Sequence, residues 1–157
     1  METEHTYRVV AWWNAGKTGL AKADSAPNAI HFAAPVQFGG LEGRWSPEEL
    51  LLSAVAGCFT TTFRALSDHS EFKYLDFEVT VEGTARKAES GYAFSGILIR
   101  ATITISNLEE QPRAGQLLEK AKRLCLVSRA IAIPQTFEWR VRVPATVETV
   151  EAACAGA

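Results

Sequence analysis

The stretch Ser46 to Phe59, SPEELLLSAVAGCF, constrains this chain more than any other. Ser46 suits a helix N-cap, Pro47 the first helical position, and Glu49 completes an S-x-x-E capping box while setting negative charge at the positive end of the helix dipole. Beyond that start, Leu51, Val55, Cys58, Phe59, Thr62 and Leu66 follow i, i+4, i+7, i+8, i+11 and i+15. Leu50, Leu52 and Ala54 spread apolar character around much of the circumference, so several sides of this helix need cover. The apolar-rich run Leu50 to Phe63 falls short of the ~20 residues of a membrane span and is interrupted by Ser53 and Thr60 to Thr62. The expectation is a buried helix with no membrane partner.

The flanking segments read as strands and one further helix. Thr6 to Trp13, TYRVVAWW, is a β-branched and aromatic strand entering the NAGKTG turn, and Ala29 to Ala34 is a second strand, followed by the Gly-rich connection PVQFGGLEGRW. DFEVTVEGTAR from Asp76 alternates Phe77, Val79 and Val81 against Glu78, Thr80 and Glu82, and FSGILIRATITI reads the same way, which predicts a hairpin turning near Ser90-Gly91. Arg113 to Leu124 is amphipathic on Leu117, Leu118, Ala121 and Leu124, and Phe137 to Val143 is a last strand. The tail from about residue 145 is expected to be loosely ordered. With 157 residues, 47% of them hydrophobic and 22% charged, residues 1–157 fit one domain. The order lacks regular βαβ alternation, so the predicted class is α+β on a mainly antiparallel sheet, with a doubly wound parallel sheet disfavoured.

A net charge of −2 and a pI near 5.9 lack the basic excess that a nucleic-acid partner requires. The N-terminus shows no basic region followed by an apolar run and cleavage site, so a cytoplasmic location is expected. Cys58, Cys125 and Cys154 are an odd number with no CxxC pair, fitting neither a disulfide framework nor a four-cysteine zinc site, and His5, His31 and His69 lack ligand spacing. Cys58 has two readings from the residues alone: a small buried core group, or a reactive thiol. It lies about three turns into its helix, too deep for that helix's dipole to act strongly on it. Gly57 beside it costs about 1 kcal/mol relative to alanine in a helix, which makes sense where another backbone or a ligand comes close.

SPEELLLSAVAGCF, followed 67 residues after its cysteine by EKAKRLCLVSRAI, resembles the paired cysteine motifs of the OsmC-like family, which includes the osmotically induced protein C and organic hydroperoxide resistance groups. The resemblance spans the chain from about Thr6 to Val143. It implies an intertwined homodimer that reduces hydroperoxides, organic ones preferentially in the hydroperoxide resistance group, without metal, haem or flavin. On this resemblance Cys58 is the peroxidatic thiol and Cys125 the resolving one, with a transient disulfide reduced by an external dithiol, for which a lipoyl-type dithiol is the family's candidate.

The family's Pro-Glu carboxylate corresponds to Glu48. Ten residues of helix put Glu48 ~15 Å from Cys58, so if both serve one site, Glu48 reaches the other subunit's thiol. Where the family usually has an arginine on the N-terminal turn, this sequence has Lys17, which supplies charge without the planar bidentate fork; Arg44 is the alternative cation. Trp45 and Phe59 are candidates for contacting substrate, Ser128 for closing a turn, and Cys154 for no role. A second reading keeps the fold without turnover, as a redox-sensing or small-ligand-binding dimer, and a third makes both thiols structural.

Overall fold

The computed structural model describes residues 4–144; the expected loose tail and Cys154 lie outside them. Helix α1, Pro47–His69, starts as its sequence dictates. The Glu49 N–H donates to Ser46 Oγ at 3.2 Å, and the Ser46 N–H donates to Glu49 Oε2 at 2.8 Å, with Pro47 at the first position. Its 23 residues exceed the expected apolar run, and by length and composition it is long and apolar enough to cross a membrane. Burial within the chain is confined to one face, made by Val55, Phe59, Phe63 and Ser67. Leu51, Cys58, Thr62 and Leu66 are half-buried, and Ser53, Ala54, Gly57 and Thr61 are exposed. The cover expected on several sides is present on one.

The buried face lies on a three-stranded sheet ordered β4–β5–β6, formed by Asp76–Ala88, Gly91–Thr104 and Gln135–Arg142. Aromatic rings make the seat. Phe63 stacks on Phe77 with ring centroids 4.2 Å apart, and Phe59 lies 5.3 Å from Phe137. The predicted hairpin is longer than its alternation indicated, pairing from Asp76 with Thr104 to Ala88 with Gly91, with an irregularity between Thr84 and Ala85. Strand β6 pairs parallel to β5, because the chain returns through α2 (Gln111–Leu124) and the short α3 (Leu126–Ala130). Ile97, Ile99 and Ile103 of β5 meet Leu118 and Ala121 of α2 in the same core.

The N-terminal strands β1 (Val9–Ala15), β2 (Thr18–Ala23) and β3 (Ile30–Phe32) form a second, separate antiparallel sheet of three. The structure therefore divides the strands between two sheets. Strand β2 was not legible in advance, since TGLAKA has little of the β-branched or aromatic content that marks strands. All seven residues of β1 are exposed, Trp13 to 60%. The aromatic seat should dominate stability: Phe63→Ala is expected to cost about 3–5 kcal/mol, against about 1 kcal/mol for Ser46→Ala at the cap. Urea denaturation midpoints of the two variants measure the difference.

Candidate functional site

Cys58 leaves the flank of α1 toward the junction between α2 and α3. Cys125 is that junction: its N–H donates to the Ala121 carbonyl at 2.9 Å, closing α2, and its own carbonyl accepts from the Arg129 N–H at 3.1 Å, opening α3. Two thiols distant in sequence thereby become neighbours. Cys125 is wholly buried, Cys58 half-buried, and both are free. The Val127 N–H donates to Cys58 Sγ at 3.5 Å.

Burial alone pushes the Cys58 thiol up. Hydrogen bonds from the Val127 N–H, the Cys125 side chain and the Leu126 N–H outweigh it and hold the pKa below that of an ordinary cysteine, while the Thr62 hydroxyl donates to the Cys58 carbonyl at 2.7 Å. No charged side chain of the described residues is among the groups that shift the Cys58 pKa.

A supporting network fixes α3 in place. Ser128 Oγ donates to the Cys125 carbonyl at 3.3 Å, the turn-closing role its sequence suggested. Gln135, at the start of β6, donates through Nε2 to the carbonyls of Ser128 (2.7 Å) and Ile131 (3.2 Å), and its Oε1 accepts from Lys122 Nζ at 2.8 Å. Nothing in the sequence marked Gln135, because an isolated glutamine at a strand start carries no pattern.

The start of α1 borders a cavity of about 680 Å³ between residues 34–44 and the outer end of the β4–β5 hairpin. Phe38, Leu41, Leu52, Tyr92 and Phe94 supply apolar lining, and Arg44 and Glu48 supply charge. Glu48 Oε2 is buried without a hydrogen-bond partner among the described residues. Gly83 permits the tight floor: a Cβ there would stand 2.6 Å from the Phe94 ring and 2.9 Å from Leu52. Glu48 and Cys58 of one chain belong to different places, ~15 Å apart along α1.

The remaining candidates fall elsewhere. Lys17 Nζ donates to the Gly39 carbonyl at 2.8 Å, tying the N-terminal turn to the cavity loop. Arg44 lines the cavity, and its Nη1 makes a long contact of 3.5 Å to the Gly43 carbonyl. Trp45 is half exposed, outside the cavity lining, with its carbonyl accepting from the Ala33 N–H at 3.0 Å. Phe59 is fully buried in the ring stack, so aromatic contact with the cavity falls to Phe38, Tyr92 and Phe94. No atom of the described residues lies within 4 Å of where a Gly57 Cβ would stand, apart from the helix's own backbone and chain neighbours, so the close approach expected there is not made within the chain.

The described residues form an α+β domain that brings two free thiols together beside a helix junction. The chain belongs to the OsmC-like family, whose signature matches residues 40–140. It is 22% identical over 127 residues to peroxiredoxin OsmC of Escherichia coli, covering 81% of this chain and 87% of that protein. It is 23% identical over 131 residues to the uncharacterized protein YmaD of Bacillus subtilis, covering 82% and 87%. Among solved structures, an organic hydroperoxide resistance protein OsmC from Legionella pneumophila superposes with a TM-score of 0.71 at 26% identity, covering 90% of this chain and all of that one. These relatives support peroxidase-like chemistry at the level of the family.

The donors around Cys58 give a direct measurement. Alkylation by iodoacetamide, followed across pH by mass spectrometry, should show a Cys58 midpoint below that of the same thiol in the unfolded protein, with Cys125 protected until the protein unfolds. Val127→Pro, which removes the largest lowering donor at a position early enough in α3 to accept proline, should raise that midpoint.

Proposed function

We propose that the protein is a homodimeric, cysteine-based peroxidase acting on hydroperoxides, organic ones in particular. The observation that carries this reading is the half-buried Cys58, with its lowered pKa, against the buried Cys125 thiol. The Cys58 thiolate attacks the distal oxygen of ROOH; the O–O bond breaks, the sulfur is oxidised to a sulfenic acid, and the alkoxide takes a proton to leave as ROH. The Cys125 thiol then condenses with the sulfenic acid, forming the disulfide and releasing water. An external dithiol of lipoyl type restores both thiols and is itself oxidised to a disulfide.

Dimerisation belongs to this reading on physical grounds. An isolated three-stranded sheet that exposes Val9, Trp12 and Trp13 has no hydrophobic layer to rest on. Helix α1 likewise leaves Ala54 and Gly57 open and Leu50 and Leu51 half-covered. A second copy supplies cover for both surfaces, and it brings a Glu48 from the other chain toward Cys58. The cavity at Glu48 is then the hydroperoxide site, where the unpartnered carboxylate oxygen accepts a hydrogen bond from the peroxide.

A second reading, a non-catalytic redox-sensing or ligand-binding dimer, is favoured by the engagement of Lys17 with the Gly39 carbonyl and by the absence of charged groups from those that lower the Cys58 pKa. Stopped-flow consumption of cumene hydroperoxide and hydrogen peroxide by the reduced protein separates the two. Cys58→Ser should abolish peroxide consumption, whereas Cys125→Ser should consume one equivalent, retain a sulfenic acid at Cys58 and stall; an unoxidised Cys58 after one equivalent of cumene hydroperoxide would count against the peroxidase.

Pairing across subunits has its own test. Mixed dimers of Cys58→Ser with Glu48→Gln subunits should recover about one intact site, half the wild-type turnover. A site built within one chain predicts no recovery.

A further inference from the structure

The β4–β5 hairpin gives the cavity a length as well as a volume. Its deep end is set by Leu52 against Gly83, one helical turn beyond Glu48. From Gly83 the wall runs outward along the hairpin, past Ala85 and its cross-strand partner Phe94, to Tyr92, which pairs with Lys87. Gly83 to Lys87 is four residue steps of strand, a distance of ~13 Å. At that outer end Tyr92 meets Phe38 edge to face, with ring centroids 4.9 Å apart and planes at 69°. Both rings are otherwise more than half exposed. Phe38 precedes Gly39, whose carbonyl Lys17 holds, so the loop carrying the ring is anchored from outside the cavity.

We infer that Phe38 and Tyr92 form a bar across the outer end of this cavity and set the length of the apolar group it admits, the donor head of the ligand lying at Glu48. This deepens the proposed function and rests on its assignment of the cavity as the hydroperoxide site. The ligand class is an apolar molecule of about 13 Å or less with one hydrogen-bond-donating end. The lining is aromatic and aliphatic along the wall, and Glu48 Oε2 is an acceptor left without a partner among the described residues.

Redox-inert alcohols test the bar without using the thiols. Calorimetry with 1-decanol and 1-dodecanol on the reduced full-length protein should give dissociation constants within threefold of each other in the wild type, because the last two methylenes find no room. In Phe38→Ala, and independently in Tyr92→Ala, dodecanol should bind about tenfold more tightly than decanol, the gain expected for burying two methylenes. An unchanged ratio in both variants overturns the inference. So does failure of either alcohol to bind the wild type, the result expected if a segment of a second copy fills the space. Flat selectivity alongside normal peroxide consumption refutes the bar alone; altered selectivity with no peroxide consumption refutes the thiol chemistry alone.

Discussion

The seating of Phe59 and Phe63 on Phe77 and Phe137 is the contact on which everything functional depends. Helix α1 is a rigid rod of 23 residues, so fixing its middle fixes both ends. The same seat that aims Cys58 at the α2–α3 junction places Glu48 at the cavity beyond the sheet. Burial of such rings supplies much of the hydrophobic stabilisation available to a chain of this size, about 150–250 Å² for each aromatic. The charged and polar groups of α1 add little by comparison: the capping box decides where the helix starts, and the rings decide where it lies.

The thiol environment follows from how helices end. The first N–H groups of any helix have no partner within it, and in α3 those of Leu126 and Val127 are turned to the Cys58 sulfur. Stabilising a thiolate there sacrifices no helical hydrogen bond. A helix of five residues would not hold its direction unaided. Gln135 bridges its carbonyls to Lys122 on α2, and Ser128 closes onto Cys125. Among the described residues, the Cys58 sulfur is thus faced by backbone amides at a helix start.

Local signals were legible in the sequence, and signals made by approach were not. The cap at Ser46, the hairpin from Asp76 and the amphipathic α2 each carry their own pattern within a dozen or so residues, and each formed where it was read. Strand β2 and helix α3 lack such a pattern: the first is a run of small residues held between two neighbours, the second is too short to have a period. Cys58, Cys125 and Glu48 were identifiable by motif, but the cavity wall was not, since Phe38 and Tyr92 meet only because a long hairpin overreaches the end of α1. Phe59 shows the opposite limit. Its position beside the cysteine suggested contact with substrate, and the ring turned instead into the core.

The single-residue link between α2 and α3 has a bearing on how this chain can vary. Each residue of helix turns a side chain by about 100°, and Cys125 ends one helix and begins the next with no slack on either side. An insertion or deletion anywhere from Ala121 to Val127 would rotate the buried sulfur away from Cys58 and shift the amides that face it, even if every remaining residue kept its chemistry. Side chains there have some freedom to drift over evolutionary time; the residue count does not.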